Sequence, residues 1–183
     1  MTGFEPFGGE TVNASWEAAR RLDGWRCGDC VAEFVAAFER IRPAAVLMTG
    51  QAAGRGVICV ERFARSVDGV TAPDNRGVIG GGEAAAAAPE RLEATASVRA
   101  IARAIRAAGL DARVSINAGG FVCNHLYLGA LKVLRAETPP TRAVFVHLPA
   151  TPRQRTPRAS QRRLATADAA RALAAAAAAL LGE

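Results

Sequence analysis

The chain has 183 residues, of which half are hydrophobic and 5% are aromatic, and its formal net charge is +6. This length is typical of one domain with a core of its own, and the scarcity of aromatic residues predicts a core of Val, Leu, Ile and Ala. Nearly all of the positive charge is Arg, spread over several predicted helices without an aromatic platform, which argues against a nucleic-acid-binding protein.

The N-terminal sequence and the hydropathy predict a cytoplasmic protein. The N-terminus shows no secretory signal, and no run of residues is long and apolar enough to span a membrane. In the cytoplasm the four cysteines, Cys27, Cys30, Cys59 and Cys123, are expected to stay reduced. Cys27 and Cys30 have the spacing of a redox pair or of half a zinc site, but no second pair follows, so we predict no metal site.

The predicted elements alternate between helices and buried strands after an opening that is predicted to be an irregular loop. In chain order the patterns predict a helix at 15–22, a helix at 29–41, a strand at 44–49, a flexible turn at 50–55, a strand at 57–64, a helix opened by Pro89, a strand at 114–116 followed by a helix, a strand at 143–147 and an Ala-rich terminal helix. This order predicts an α/β fold, a single-domain three-layer α/β/α sandwich (residues 1–183) with a mostly parallel, open, twisted sheet. An Arg/Pro-rich linker, 152–163, is expected to lead into the C-terminal helix.

The stretch from Val114 to Arg135 has the pattern of a strand, a glycine turn and a helix, with Cys123 near the helix start. A helix N-terminus has free N–H groups and a partial positive charge, so we expect this thiol to be more easily ionised. The same N–H groups can stabilise an oxyanion on a substrate carbonyl. The stretch therefore predicts a nucleophilic cysteine, with a buried structural cysteine as the alternative.

A thiol nucleophile needs a base, and the chain offers only two histidines. His125 lies two residues from Cys123 on the same predicted helix, where the two side chains do not face each other. His147 closes a different predicted strand and can approach from across the site. Because ligand sites in open α/β sheets form beyond the carboxyl ends of strands, we expect Cys123, His147 and Gln51 to lie together there.

The base in turn needs an orienting partner, and Glu61 is a candidate. It lies within an apolar strand-like run, where a charge is unfavourable unless it is paired. A protonated histidine would provide the pairing. A salt bridge to Arg62 or Arg65 is the alternative interpretation.

Several long motifs occur together in this chain. They are TGFEPFGGETVNASWEAARRLDG from Thr2, GQAAGR followed by VERFA, a PDN turn, and AGGFVCNHLYLGAL with the later FVHLP. Between Thr2 and about Pro152 the chain thereby resembles the pyroglutamyl peptidase I (pyrrolidone carboxyl peptidase) family of cysteine peptidases. The resemblance implies removal of an N-terminal pyroglutamyl residue from peptides, without a metal or cofactor. It also makes self-association an expectation, since the family often forms homo-oligomers.

The resemblance implies a role for each matching residue. Cys123 corresponds to the nucleophile, His147 to the general base and acid, and Glu61 to the orienting carboxylate. For substrate binding, Phe4 and Phe7 correspond to the two aromatic residues that sandwich the lactam ring, and Phe121 and Val122 to two others that line the pocket. Gln51 corresponds to a position whose backbone hydrogen-bonds the lactam, and Asn13 to an asparagine that supports the active-site loop.

Three departures from the family pattern lead to further expectations. Only Met1 precedes the first motif, so we expect part of the first strand to be missing and Met1 to be a candidate for a misassigned start. The segment 24–42 is short, so we also expect a strand to be absent there. Thr71 stands where the family commonly has an arginine, for which Arg65 or Arg76 could substitute. These departures leave a second hypothesis, a catalytically impaired or truncated member that acts as a non-enzymatic binding or vestigial protein.

Overall fold

A computed structural model describes residues 2–6, 9–19, 25–27, 30–66, 90–120, 122–154 and 162–182. The helices are α1 (Ala14–Ala19), α2 (Cys30–Ile41), α3 (Val98–Ala107), α4 (Val122–Ala136) and α5 (Thr166–Leu181). The strands are β1 (Thr2–Phe4), β2 (Trp25–Cys27), β3 (Ala45–Gln51), β4 (Ile58–Glu61), β5 (Phe63–Arg65), β6 (Arg91–Glu93), β7 (Ala112–Ser115) and β8 (Arg142–Leu148).

Six of these strands form the central sheet, in the order β2-β1-β3-β8-β4-β7. All neighbours in this sheet are parallel except β4 and β8, which pair antiparallel. One core cluster joins one face of the sheet to α1, α3 and α5, and a second joins the other face to α2 and α4. The predicted α/β sandwich with a mostly parallel sheet is therefore confirmed.

The helices follow the predicted apolar spacing. In α3 the buried residues Val98, Ile101, Ala102 and Ile105 recur at the helical period, so one face packs on the sheet. The start of α3 differs from the prediction of a helix opened by Pro89. The helix begins at Val98, where the Ser97 side chain accepts a hydrogen bond from the N–H of Ala100.

Residues 91–93, predicted to be helical, instead form β6, which pairs antiparallel with β5 as a separate two-stranded sheet. The predicted strand 57–64 is likewise divided between the two sheets, at Arg62. The N–H of Arg62 donates to the carbonyl of Ser115 at 2.7 Å. Local sequence does not signal this division, because it depends on pairing with residues far along the chain.

Two short strands correct the predictions for the first 42 residues. The opening was expected to be a loop, but Thr2–Phe4 forms β1, where a Cβ atom on Gly3 would lie 2.9 Å from the Cα of Trp16. This glycine allows α1 to approach the strand closely. A strand was expected to be absent from 24–42, but Trp25–Cys27 forms β2 and pairs with β1. Strands of three residues are too short to show an alternating pattern.

The C-terminal part of the chain ends in α5, which packs Ala169, Ala172 and Leu173 into the core beside α1 and α3. Of the predicted linker 152–163, residues 155–161 lie outside the described residues. Within the described part of the chain, no helix is long and apolar enough to cross a membrane.

Candidate active site

Cys123 is the second residue of α4, as the strand–turn–helix pattern predicted. The preceding loop contains Gly119 with φ +88°, a left-handed conformation that favours glycine, and the N–H of Gly119 donates to Oδ1 of Asn117 at 3.0 Å. Because Cys123 lies in the first turn, its backbone N–H has no partner within the helix. The exposed His125 points away from the core, in accord with its spacing from Cys123.

Glu61 and His147 form a buried pair on the sheet face that α4 covers. Nδ1 of His147 lies 2.8 Å from Oε1 of Glu61. In the antiparallel β4–β8 pair, Cys59 faces His147 and Glu61 faces Phe145, so Glu61 and His147 project from the same face two residues apart. The expectation of a site beyond strand ends is only partly met. Gln51 and His147 do lie near the adjacent carboxyl ends of β3 and β8. Because β4 runs antiparallel to β8, Glu61 and His147 meet on the face of the sheet.

The sulfur of Cys123 lies over the same part of the sheet. A Cβ atom built on Gly50 would be 2.7 Å from Sγ of Cys123 and 2.9 Å from the ring of Phe145. Gly50 is the direct neighbour of His147 across β3 and β8. Glycine at position 50 therefore allows the sulfur to approach the sheet at the residue that neighbours His147 in the register.

The Cys123 thiol is neutral in this environment, contrary to the expectation of easier ionisation. Burial, with a smaller contribution from the nearby Cys30 and Glu61, raises the pKa of Cys123 to about 12. The backbone N–H of Cys123 and the Arg55 guanidinium lower the pKa only in part. Removal of the thiol from water thus outweighs the effect of the helix start.

Arg55, in the turn after β3, is a second partner of Glu61. Its Nη1 contacts Oε1 of Glu61, the same oxygen that contacts His147. The backbone carbonyl of Glu61 accepts a hydrogen bond from the hydroxyl of Tyr127 at 3.0 Å. The side chain of Glu61 is therefore held by Arg55 and His147, and its backbone carbonyl by Tyr127 of α4.

Asn124 anchors the start of α4 to β5. Its Oδ1 accepts a hydrogen bond from the N–H of Arg65 at 3.0 Å, and its Nδ2 donates to the carbonyl of Arg65 at 2.6 Å. The amide thus pairs with the strand backbone as a neighbouring strand would. Arg65 also donates from Nη2 to the carbonyl of Ile116 in the loop before α4, at 3.3 Å.

Asn13 fastens the loop that connects β1 to α1. Its Nδ2 donates to the carbonyl of Glu5 at 3.0 Å, while its Oδ1 accepts from the N–H and the hydroxyl of Ser15. Oε1 of Gln51 accepts from the N–H of Ala14 at 2.7 Å, which ties the loop to the end of β3. Phe4 is buried in the same core cluster as Cys123.

The remaining predicted site residues divide into two groups. Val122 is partly buried and packs against the cluster that contains Cys123. Phe7, Phe121, Thr71 and Arg76 lie outside the described residues. Among the residues that the structure describes, no group of three or more potential ligands could hold a metal ion.

Sequence reasoning did not identify the contacts of Arg55, Asn124 and Tyr127. One signal was available for Arg55, since a buried glutamate in an apolar run requires a positive partner and Arg55 lies only six residues before it. The other contacts join residues about 60 positions apart in the sequence, and no local pattern indicates them.

Comparison with known proteins gives a consistent result. A family model described as Pyroglutamyl peptidase matches residues 1–35 and 31–183. The chain is 42% identical over 175 residues to a pyrrolidone-carboxylate peptidase of Gloeobacter violaceus, covering 84% of this chain and 82% of that protein. It is 38% identical over 194 aligned residues to a pyrrolidone-carboxylate peptidase of Klebsiella pneumoniae, covering 94% of this chain and 87% of that protein.

Solved structures resemble the fold closely. Pyroglutamyl peptidase I from Bacillus amyloliquefaciens matches with a TM-score of 0.91 and 33% sequence identity, covering 100% of this chain and 95% of that chain. Pyrrolidone carboxyl peptidase from Thermococcus litoralis matches with a TM-score of 0.87 and 28% identity, covering 99% of this chain and 91% of that chain. The likeness extends over the sheet and both helix layers.

Proposed function

The chain belongs to the pyroglutamyl peptidase family, and we propose that it is a cysteine peptidase that removes N-terminal pyroglutamate (5-oxoproline) from peptides. The observation on which this proposal depends most is the buried Glu61–His147 pair, with Nδ1 2.8 Å from Oε1, on the sheet face that also holds Cys123. A nucleophile, a base and a group that orients the base are the parts that acyl transfer requires.

Proton transfer starts from a neutral thiol. An ionised glutamate only accepts hydrogen bonds, so its partner Nδ1 of His147 carries a proton and Nε2 is the basic nitrogen. His147 removes the proton of Cys123 as the sulfur attacks the pyroglutamyl carbonyl carbon, which forms the C–S bond. Because the pKa of Cys123 is raised to about 12, proton removal accompanies the attack rather than preceding it.

The tetrahedral intermediate has a negatively charged oxygen, which free N–H groups at the start of α4 stabilise. When the intermediate collapses, the C–N bond breaks and His147 donates its proton to the leaving amine. Water, activated by His147, then attacks the thioester and releases free pyroglutamate with the thiol restored. Every proton passes through His147, and Glu61 stabilises its charged form.

Phe4 and Val122 pack in or against the apolar cluster that contains Cys123, which supports their proposed role as apolar walls of the site. A planar, neutral lactam suits such walls, with a few backbone hydrogen bonds to orient it. A free N-terminal amine would arrive charged and lose its hydration without a partner, so the site discriminates against ordinary N-termini. This argument favours pyroglutamyl peptides over peptides that begin with proline.

Hydrolysis of a pyroglutamyl fluorogenic amide by the purified protein tests the proposal, with the prolyl amide as the specificity control. Cys123→Ser should abolish turnover, and His147→Gln should reduce kcat by at least about 1000-fold. His125→Gln is the matched histidine control and should retain wild-type activity, because His125 is exposed. No turnover by a folded wild-type protein would overturn the proposal and favour the non-enzymatic hypothesis.

A further inference from the structure

Glu61 holds a charge in a place where water cannot screen it. Its side chain has 0% exposure, and one of its oxygens, Oε2, is buried without a hydrogen-bond partner among the described residues. His147, when it acts as a base, is neutral and cannot neutralise this charge. A buried carboxylate without a countercharge would take up a proton, and a protonated Glu61 no longer stabilises the imidazolium.

Arg55 provides the missing countercharge. Its Nη1 contacts Oε1 of Glu61, and its side chain is 21% exposed, which places the guanidinium between the buried carboxylate and solvent. Burial by itself would lower the pKa of Arg55, but the Glu61 charge and hydrogen bonds to Cys59 and Glu61 raise it above its usual value. Arg55 is therefore positively charged throughout the working pH range.

The same guanidinium reaches the loop that leads to the nucleophile. Nη2 of Arg55 donates to the carbonyl of Asn117 at 2.5 Å, and Nη1 lies 3.4 Å from Oγ of Ser115. This loop ends at the start of α4, where Cys123 lies. One planar group therefore contacts both the carboxylate and the segment that leads to the thiol. A lysine ammonium could supply the charge but not this two-sided geometry.

We propose that Arg55 is a positioning residue for the Cys123–His147–Glu61 reaction, which keeps Glu61 ionised and fixes the loop before Cys123 relative to it. The inference rests on the proposed function for its catalytic consequence. Its electrostatic part concerns only the proton affinity of the Glu61–His147 pair and can be measured without turnover.

The expected direction of the pH effect does not depend on which member of the pair binds the proton. The pair binds one proton in acid, as His⁺ with Glu⁻ or as neutral His with neutral Glu, and a nearby positive charge disfavours both. Removing the Arg55 charge therefore raises the pH at which the pair loses that proton. The other titratable or charged groups that face the pair or its immediate partners come from β4, β7, α2 and α4: Cys59, Arg113, Cys30, Cys123 and Tyr127.

The test is a titration of the histidine ring by NMR in the full chain, with exposed His125 as an internal reference. Arg55→Met should raise the titration midpoint of His147 by about one to three pH units and leave that of His125 unchanged. If the wild-type protein hydrolyses the pyroglutamyl amide, the acid limb of kcat/KM in Arg55→Met should move to higher pH by the same amount, so that kcat/KM at pH 7 falls below that of wild type.

Arg55→Lys separates charge from geometry and provides a second variant if Arg55→Met does not fold. It should keep the His147 midpoint within about half a pH unit of wild type, while kcat falls because the bond to Asn117 is lost. Arg62→Met is the matched control, since Arg62 follows Glu61 directly but pairs with Glu93. This substitution should change neither the His147 midpoint nor kcat.

The outcomes distinguish this inference from the proposed function. An unchanged His147 midpoint in Arg55→Met, or a midpoint in Arg55→Lys that moves as far as in Arg55→Met, would overturn the positioning role. Absence of turnover in wild type, with the expected shift in the NMR midpoint, would instead overturn the peptidase assignment and leave the electrostatic role of Arg55 supported.

Discussion

Gly50 and Cys123 are in such close contact that no side chain fits at residue 50. The Cβ of any other residue would lie 2.7 Å from Sγ of Cys123, below the distance at which real Cβ atoms are found, and would also lie 2.9 Å from the buried ring of Phe145. The glycine stands beside His147 in the sheet. The absence of a side chain at this point allows the thiol to approach the sheet at the strand position next to His147.

Replacement of Gly50 by alanine should therefore displace the sulfur or the Phe145 ring. We expect Gly50→Ala to lose at least about tenfold in kcat, since small displacements of reacting groups cause large losses of rate. Overpacking should also destabilise the fold by about 1 to 3 kcal/mol, measured by urea unfolding. Gly54→Ala is the matched control, because a Cβ there meets nothing within 4 Å. Wild-type kcat in Gly50→Ala would contradict this account of the contact.

The raised pKa of Cys123 predicts how its alkylation depends on pH. With a pKa of about 12, the thiol is neutral at pH 7, and the thiolate fraction increases about tenfold for each pH unit up to that value. The rate of carbamidomethylation by iodoacetamide, followed by peptide mass spectrometry, should rise without a plateau between pH 7 and 10. A plateau near neutral pH would indicate a thiolate–imidazolium pair at rest, and the attack would then start from a preformed thiolate.

Asn124 should contribute to both stability and rate. Asn124→Ala leaves the N–H and the carbonyl of Arg65 without their side-chain partner, which should lower the free energy of unfolding by about 1 to 3 kcal/mol. Because this amide joins the first turn of α4 to β5, kcat for the pyroglutamyl amide should fall as well. His125→Ala alters the neighbouring exposed residue and should change neither quantity. Equal stability of Asn124→Ala and wild type would show that the two bonds have little net effect.

Asn13 should influence substrate binding through the loop it fastens. Asn13→Ala removes the bonds to Glu5 and Ser15, so Phe4, at the start of this loop, is held less firmly. We expect KM for the pyroglutamyl amide to rise about threefold to thirtyfold, with a smaller change in kcat, because Phe4 is a proposed wall of the ring-binding site. Thr11→Ala, in an exposed part of the same loop, is the control. A selective loss of kcat would place Asn13 in the chemical step instead.

Local pattern was sufficient for several elements. The apolar spacing predicted α2, and the strand–turn–helix pattern placed Cys123 near the start of α4. Cys123 is predicted from its place near a helix start, Glu61 from its apolar strand-like run and His147 from the small number of histidines, and the structure brings Glu61 and His147 within hydrogen-bond distance. Their catalytic roles and the binding roles of Phe4, Phe7, Asn13, Gln51, Phe121 and Val122 stay predictions.

Periodicity, turn residues and motifs are local properties, so they were sufficient to predict the sandwich class, the family and the chemical types available for a site. Three features become apparent only in the folded protein: β4 runs antiparallel to β8, one oxygen of Glu61 contacts both His147 and Arg55, and Cys123 is a neutral thiol. Strand direction depends on pairing between distant segments, and a pKa depends on the charges and the burial that surround a group in three dimensions. Both are therefore properties of the assembled sheet and helices.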